Sequence, residues 1–189
     1  MLFVVLAAFW PACSFDYGDR TPEERLTPDV VMENVEYVRV RSAEVQARFT
    51  AERAERFENR RLMELRNFSF EQFDGRGEVS AFGRAGSASV ELDSMDIFMS
   101  DGVRLEVESE EIAIETVRLD WLDGPQTLSG GSDEEVHITR DDGTSFVGIG
   151  FRADARRRTW EFSGRIEGVY VHEDDDGESD DPEEGGTDG

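Results

Sequence analysis

Short stretches of alternating apolar and polar residues recur along the chain at a nearly constant interval. One series, in which apolar residues flank a central position, lies at residues 68–70, 103–105, 136–138 and 166–168, with starts 35, 33 and 30 residues apart. A second series lies between them, at residues 49–52, 82–85, 112–115 and 151–154. A fixed period of this length indicates repeated supersecondary units that bury their apolar sides against one another. Each unit holds at least two short strands.

The alternation itself defines the class of fold. Val103, Leu105 and Val107 alternate with charged residues, which gives the predicted strand one dry face and one wet face. Turn-forming pairs separate the strands: Asp74-Gly75, Asp101-Gly102, Asp123-Gly124, Gly130-Gly131 and Asp142-Gly143. We therefore predict an all-β protein with antiparallel strands.

One segment has a composition that conflicts with this prediction. Residues 51–66, AERAERFENRRLMELR, are rich in helix-forming residues and in isolation would be assigned to a helix. The repeat requires a strand, a turn near Asn59-Arg60 and a second strand at this place. Because tertiary context overrides local propensity, we predict the hairpin.

A pair of closely spaced glycines raises the question of a phosphate-binding loop. Gly148 and Gly150 lie in FVGIGFRAD, residues 146–154, but a dinucleotide fingerprint needs a third glycine where Ala153 stands and a helix directly after it. The stretch is instead the last member of the strand series. Its glycines allow close approach of another backbone or a ligand, or they form a bend or bulge.

Charge and length exclude several functions and divide the chain. The 189 residues fit one domain with extensions, and the net charge of −24 disfavours a nucleic-acid partner. Residues 173–189 hold ten acidic residues and no basic one, so we predict a disordered acidic tail. The folded domain is predicted to span residues 29–172.

The N-terminal residues resemble a processed membrane anchor. Residues 1–12, MLFVVLAAFWPA, are apolar but shorter than the ~20 residues that cross a bilayer, which suits a signal peptide. The single cysteine, Cys13, follows Ala12 as at a lipoprotein processing site, and residues 13–28 read as a tether. The alternative is a short N-terminal segment with an ordinary cysteine. Lipidation of Cys13 would anchor the domain to a membrane.

The dry faces of the strands must be buried, and two sheets folded over each other as a jelly roll would bury them. If the sheets meet tightly, the interior is an ordinary core; if one seam stays open, the interior is an apolar groove. The alternation does not separate these cases. The large side chains expected to face inward are Phe49, Phe68, Phe70, Phe82, Met95, Ile97, Leu105, Leu119, Trp121, Phe151 and Phe162.

The sequence offers little for catalysis or metal binding. His137 lies on the predicted wet face of a strand and His172 at the start of the tail, and no nucleophile motif accompanies either. The spacing of cysteine and histidine fits no zinc site. We predict that the protein is not an enzyme and needs no cofactor. The run Arg156-Arg157-Arg158 is either a solvated hairpin tip or a phosphate contact.

Residues 28 to about 171 resemble the LptC family of lipopolysaccharide-export bridge proteins. The resemblance is carried by PDVVMENV, FDGRGEV, LDWLDGPQTLSGG and most of all by FVGIGFRAD followed by WEFSGRIEG. Where LptC has an N-terminal transmembrane helix, this chain has Cys13, and the acidic tail is also outside the family pattern.

The resemblance implies an open, folded-over antiparallel β-jelly-roll with lipopolysaccharide acyl chains between its sheets. It also implies a periplasmic location at the inner membrane, an N-terminal end that docks on an inner-membrane ABC transporter, and a C-terminal edge, near Gly148 and Gly150, that adds a strand from an LptA-like module. The alternative is a lipid-anchored β scaffold with a closed core that binds no lipid.

Overall fold

The computed structural model describes residues 27–171, and it is built almost entirely of antiparallel strands. The strands are β1 (Val30–Arg41), β2 (Glu44–Phe57), β3 (Leu62–Phe73), β4 (Val79–Glu91), β5 (Ile97–Ser100), β6 (Val103–Val107), β7 (Ile112–Thr116), β8 (Leu119–Leu122), β9 (Thr127–Gly130), β10 (Glu135–Arg140), β11 (Ser145–Ile149), β12 (Phe151–Asp154), β13 (Thr159–Phe162) and β14 (Ile166–Val169). Single 3-10 turns occupy Glu58–Arg60 and Glu108–Glu110. The predicted all-β antiparallel class is confirmed.

All fourteen strands belong to one sheet, which divides at β4. The long strands β1 to β4 pair in sequence, and β4 then pairs with β5 through residues 87–90 and with β6 through residues 81–84. One branch continues as β5-β8-β9-β12-β13 and the other as β6-β7-β10-β11-β14. The later strands thus alternate in pairs between the two branches along the chain.

The branches are the two layers of a folded-over sheet. Layer A comprises residues 30–33, 53–57, 62–66 and 87–91 with β5, β8, β9, β12 and β13. Layer B comprises residues 35–41, 44–51, 68–73 and 79–85 with β6, β7, β10, β11 and β14. The layers face each other, since the ring of Phe146 in layer B lies 5.4 Å from that of Trp160 in layer A. This is the predicted jelly roll.

The layers join along a corner line where each long strand bends. Asn34 and Asn67 have positive φ, 52° and 48°, and are skipped in the strand register. Asparagine tolerates this left-handed conformation better than most residues. The amide of Asn67 donates to the carboxylate of Glu52, the neighbouring corner residue. Further along the chain, Gly102 and Gly150 occupy the same line with φ of 82° and 73°.

The predicted hairpin at residues 51–66 is confirmed. β2 ends at Phe57, a 3-10 turn follows, and Arg61 takes the left-handed conformation with φ 52° before β3 begins. Tertiary pairing overrides the local helix propensity here. β2 pairs on both sides, with β1 and β3, and its inner-face residues Ala51 and Ala54 are buried in the core.

The sequence repeat corresponds to passages of the chain through the corner. Members of the first series, in β3, β6, β10 and β14, all run into layer B shortly after the corner. The first three members of the second series lie in β2, β4 and β7, and each runs toward the corner within layer B. The last member of this series, residues 151–154, forms β12 and lies in layer A. The place in layer B that the series predicts for this member is taken by β11, which carries most of the FVGIG stretch.

Candidate functional site

The space between the layers is the candidate site, and the strand register defines the side chains that face it. In layer A one inner row comprises Met32, Ala54, Leu65, Ala88, Met99 and Leu119. In layer B one inner row comprises Tyr37, Phe49, Phe70, Gly83, Leu105, Ile114, Ile138 and Phe146. Both rows are apolar, apart from the hydroxyl of Tyr37, because only alternate residues reach the inner face.

Most of the residues predicted to face inward lie on this inner face. They are Phe49, Phe68, Phe70, Ile97, Leu105, Leu119, Trp121, Phe151 and Phe162, which are buried or packed against the core. Phe82 does not join them: it pairs with Glu71 and Glu106 on the outer face, while Gly83 takes the inner position. Met95 lies in the turn between β4 and β5 with φ 63° and is exposed.

The middle of this space is filled by side chains. Leu119, Val136 and Ile138 have no exposed surface, and Phe151 is 2% exposed. Rings from both layers interlock next to them, with Phe162 lying 5.6 Å from Phe151. Two surface depressions of the described residues lie elsewhere, one beside Arg104, Glu115 and His137 on the outer face and the other at the turn between β3 and β4.

The end formed by the long strands is packed differently. Its inner face carries buried alanines at positions 47, 51, 54, 85 and 88 between larger buried side chains such as Leu65 and Phe68. The aromatic rings that stand among them are in contact, with centroids 6.0 Å apart for Tyr37 and Phe49 and 6.4 Å apart for Phe49 and Phe70. Tyr37 is 54% exposed, so water reaches the inner face at this end.

Exposed apolar side chains concentrate on the two edges of the sheet. β1, which pairs only with β2, exposes Val30, Val31, Val38 and Val40, and β13 with β14 expose Trp160, Ile166 and Val169. Edge strands present unpaired backbone donors and acceptors, and apolar exposure on an edge marks an interaction surface. Val30, Trp160 and Ile166 lie on the inner face by register, so solvent reaches the inner face at both edges.

The two glycines of FVGIG have separate roles inside the fold. A Cβ on Gly148 would lie 2.7 Å from Phe162 Cδ1 and 2.9 Å from the carbonyl oxygen of Arg165, so the glycine admits a layer A ring and the next strand. Gly150 has φ 73° and forms the corner between β11 and β12. Both roles are met within the chain, and β11 pairs with β10 and β14, so neither glycine lies on an edge strand, contrary to the prediction.

The charged residues noted in the sequence lie away from the inner face. Residues 156–158 form the turn between β12 and β13, where Asp154 Oδ1 accepts hydrogen bonds from the amides of Arg156 and Arg157 at 3.0 Å. They are a hairpin tip, as one prediction had it. His137 is exposed on the outer face of β10 and lines an open depression of about 600 Å³. Cys13, His172 and the acidic tail lie outside the described residues.

Tyr37 and Arg56 are among the inner-face residues of the long strands that sequence reasoning missed, as are Met32, Met63 and Leu65. The alternation that places Ala51 inward would place residue 53 inward and Arg56 outward, but the corner at Glu52 shifts the pattern by one residue. Burial of Ala54 at 0% exposure fixes the inner side after the corner. A helix-like composition at residues 51–66 hides this shift in the sequence.

The residues 27–171 contain no helix of the length and apolarity that a membrane crossing requires. Nor does any group of three or more histidine, cysteine or carboxylate side chains in this part of the chain suit a metal ion.

Comparison with known proteins gives a family and a fold. Residues 1–171 match the family model described as lipopolysaccharide-assembly, LptC-related. No curated protein matches the sequence. Among solved structures, the chain is similar to LptH of Pseudomonas aeruginosa, described as the LptA homologous periplasmic component of the conserved lipopolysaccharide transport device. The identity is 12%, the TM-score is 0.53, and the match covers 67% of this chain and 95% of LptH.

Proposed function

This chain belongs to the LptC-related family of lipopolysaccharide-assembly proteins and acts in lipopolysaccharide transport, and we propose that it does so by holding acyl chains between its two layers. The observation that carries the proposal is the apolar inner face, which is exposed to solvent at both edges of the sheet. Burial of acyl chains there would supply roughly 0.8 kcal/mol per CH₂ removed from water. The protein would work as a periplasmic carrier rather than as an enzyme.

Because side chains fill the middle of the interior, acyl chains would have to enter at one of its ends. Acyl chains would first occupy the long-strand end, where Tyr37 is exposed and small alanine side chains lie near the rings of Phe49 and Phe70. Passage toward β13 and β14 requires the layers to separate. They are joined by strands only along the corner line, and the tips opposite are bridged by the exposed pair Arg158 and Glu110 at 3.9 Å, which is a weak contact.

The two free edges support a proposed direction of transfer. We infer that β1 lies toward an inner-membrane ABC transporter, whereas the edge formed by β13 and β14 adds a strand from an LptA-like module. Arg165 accepts a backbone hydrogen bond from Ile149 at 3.0 Å, so in an antiparallel ladder the amides of Ile166 and Gly168 point to the open side. Anchoring through a lipidated Cys13 would hold the domain at the membrane.

The proposal is tested by photocrosslinking with benzoylphenylalanine placed at single phenylalanine positions. Phe49 and Phe162 lie on the inner face, and Phe82, on the outer face of the same sheet, is the matched control. We expect label transfer to lipopolysaccharide from the two inner positions and little from Phe82. Equal transfer from all three positions would contradict an interior site.

A second candidate function is a β scaffold that binds proteins through its edges and no lipid. It is favoured by the absence of exposed surface on Leu119, Val136 and Ile138. It predicts no label transfer from Phe49 or Phe162 in a protein that still melts cooperatively and still binds an LptA-like partner. The same experiment therefore separates the two functions.

A further inference from the structure

The inner face carries very few charged side chains, and all of them have the same sign. Along β1 to β14 the register places three charged residues on the inner face, and they are Arg39, Arg56 and Arg140. The chain as a whole has 44 acidic residues against 20 basic ones. The charge of the inner face is therefore opposite in sign to the net charge of the chain. These three are called here the rim arginines.

The rim arginines share a position as well as a charge. Arg56 precedes the last residue of β2, Arg140 ends β10, and Arg39 lies two residues before the end of β1. Each therefore stands beside a hairpin tip, far from the corner line. Arg56 belongs to layer A, and Arg39 and Arg140 belong to layer B. Together they border the open seam from both sides.

Arg56 has hydrogen-bonding capacity that the protein leaves unused. Its Nε–H is buried and finds no partner in residues 27–171, whereas its NH2 group contacts Glu58 Oε1 at 2.9 Å. A buried donor without an acceptor costs free energy that a bound acceptor would recover. The side chain is 39% exposed, so a ligand at the seam can reach it. Arg39 lies over the Phe49 ring at 5.8 Å, next to the apolar lining.

We propose that Arg56, with Arg39 on the facing layer, binds the phosphate of an anionic amphiphile whose acyl chains occupy the space between the layers. The inference rests on the proposed function, because it assigns the head group of the same ligand. Guanidinium groups suit phosphate oxygens in number and geometry of donors. The net charge of −24 repels anions at long range, so a local cationic rim is what would select a phosphate head group.

Binding of two amphiphiles with the same chain, dodecyl phosphate and dodecyl maltoside, tests the proposal below their micelle concentrations. We expect wild-type protein to prefer the phosphate, and Arg56→Gln to weaken phosphate binding by about tenfold, the worth of one charge-assisted hydrogen bond, without changing maltoside binding. Arg66→Gln, which removes the same charge from the outer face of layer A, is the matched control and should leave both affinities unchanged.

Two further variants keep the test decisive if Arg56→Gln unfolds. Arg56→Lys retains the charge but loses the Nε–H, and we expect an intermediate loss of phosphate binding. Glu58→Gln removes the carboxylate that competes for Arg56, and we expect tighter phosphate binding.

Each outcome has one meaning. Equal affinity of wild-type protein for the two amphiphiles, or equal losses in Arg56→Gln and Arg66→Gln, would overturn the phosphate site and leave the acyl-chain proposal standing. Binding of neither amphiphile to wild-type protein would overturn both.

Discussion

The four long strands and the ten short ones share one sheet and one corner line, yet they pack their inner faces differently. Among the short strands, branched and aromatic side chains from both layers interlock until Leu119, Val136 and Ile138 have no exposed surface. Among the long strands, alanines lie between the larger side chains and the aromatic side chain of Tyr37 is 54% exposed. The size of the inner side chains and their exposure to solvent therefore differ along a continuous sheet.

We infer from this difference that the short-strand end contributes more to stability and that the long-strand end is the place for a ligand. A dense interior loses dispersion contacts when any atom is removed, whereas a loosely filled one tolerates the change and leaves room for other atoms. The short-strand end should hold the layers together, and the long-strand end should receive acyl chains. Variants matched between the two ends test this division.

The largest effect is expected when a phenylalanine is truncated at each end. Phe151, 2% exposed, packs among the short strands, and Phe49 is partly buried among the long ones. We expect Phe151→Ala to lower the free energy of unfolding by about 3–5 kcal/mol, as for a buried ring. Phe49→Ala should cost clearly less because water already reaches its surroundings. Urea unfolding measures both, and equal losses would contradict the division.

A smaller effect is expected from adding a methyl group to an inner-face glycine. A Cβ on Gly148 would lie 2.9 Å from the carbonyl oxygen of Arg165, and backbone cannot move away cheaply. On Gly83 it would meet the outer ring atoms of Phe70, which can swing toward the loose end. We expect Gly148→Ala to cost about 1–3 kcal/mol, typical of overpacking, and Gly83→Ala to cost less. The reverse order in thermal melts would show that the long-strand end is rigid.

The corner line should respond alike at both ends, because residues with positive φ form the bend in both regions. Asn67 has φ 48°, and a β-branched residue there would be strained by about 1–2 kcal/mol. We expect Asn67→Val to destabilise by that amount and Asn67→Gly to have a small effect. Gly150, with φ 73°, should respond to valine in the same direction. A neutral Asn67→Val would mean that the bend relaxes.

The strand class and the hairpin at residues 51–66 could be predicted because a period of two survives any tertiary arrangement. The repeat was informative for the same reason, since each passage from the corner restarts the alternation. At the corner itself this logic fails. Glu52 lies outside the pairing, so the inward residue changes from odd to even numbers and Arg56 turns inward.

The candidate site was predicted less completely, for a related physical reason. Alternation gives two faces but not which of them is inner, so Phe82 was assigned to the inner face that Gly83 in fact occupies. The ring of Phe70 occupies the space beside Gly83 that a side chain would take, since a Cβ there would lie 2.2 Å from Phe70 Cε1. Such complementarity between neighbouring strands depends on register, which local sequence does not contain.

The smallest effect is expected from acid, at one equivalent tip in each region. Asp74 accepts backbone hydrogen bonds from Glu78 and Arg76 between β3 and β4, and these hold the pKa of Asp74 below its ordinary value. The backbone hydrogen bond from Thr144 likewise lowers the pKa of Asp142 between β10 and β11. Because a lowered folded pKa stabilises the protein above the unfolded value of about 3.9, that contribution disappears as the pH falls through the folded pKa.

Replacing either carboxyl with an amide should therefore weaken the loss of stability in acid, since an amide does not titrate in this range. We expect Asp74→Asn to flatten the dependence of the melting temperature on pH below about pH 4 more than Asp142→Asn, because Asp74 accepts two backbone hydrogen bonds at 2.8 and 3.0 Å where Asp142 accepts one at 2.7 Å. A larger effect at Asp142 would place the acid-sensitive tip in the short-strand region. The long-strand end would then be loosely packed but no more sensitive to acid than the rest of the sheet.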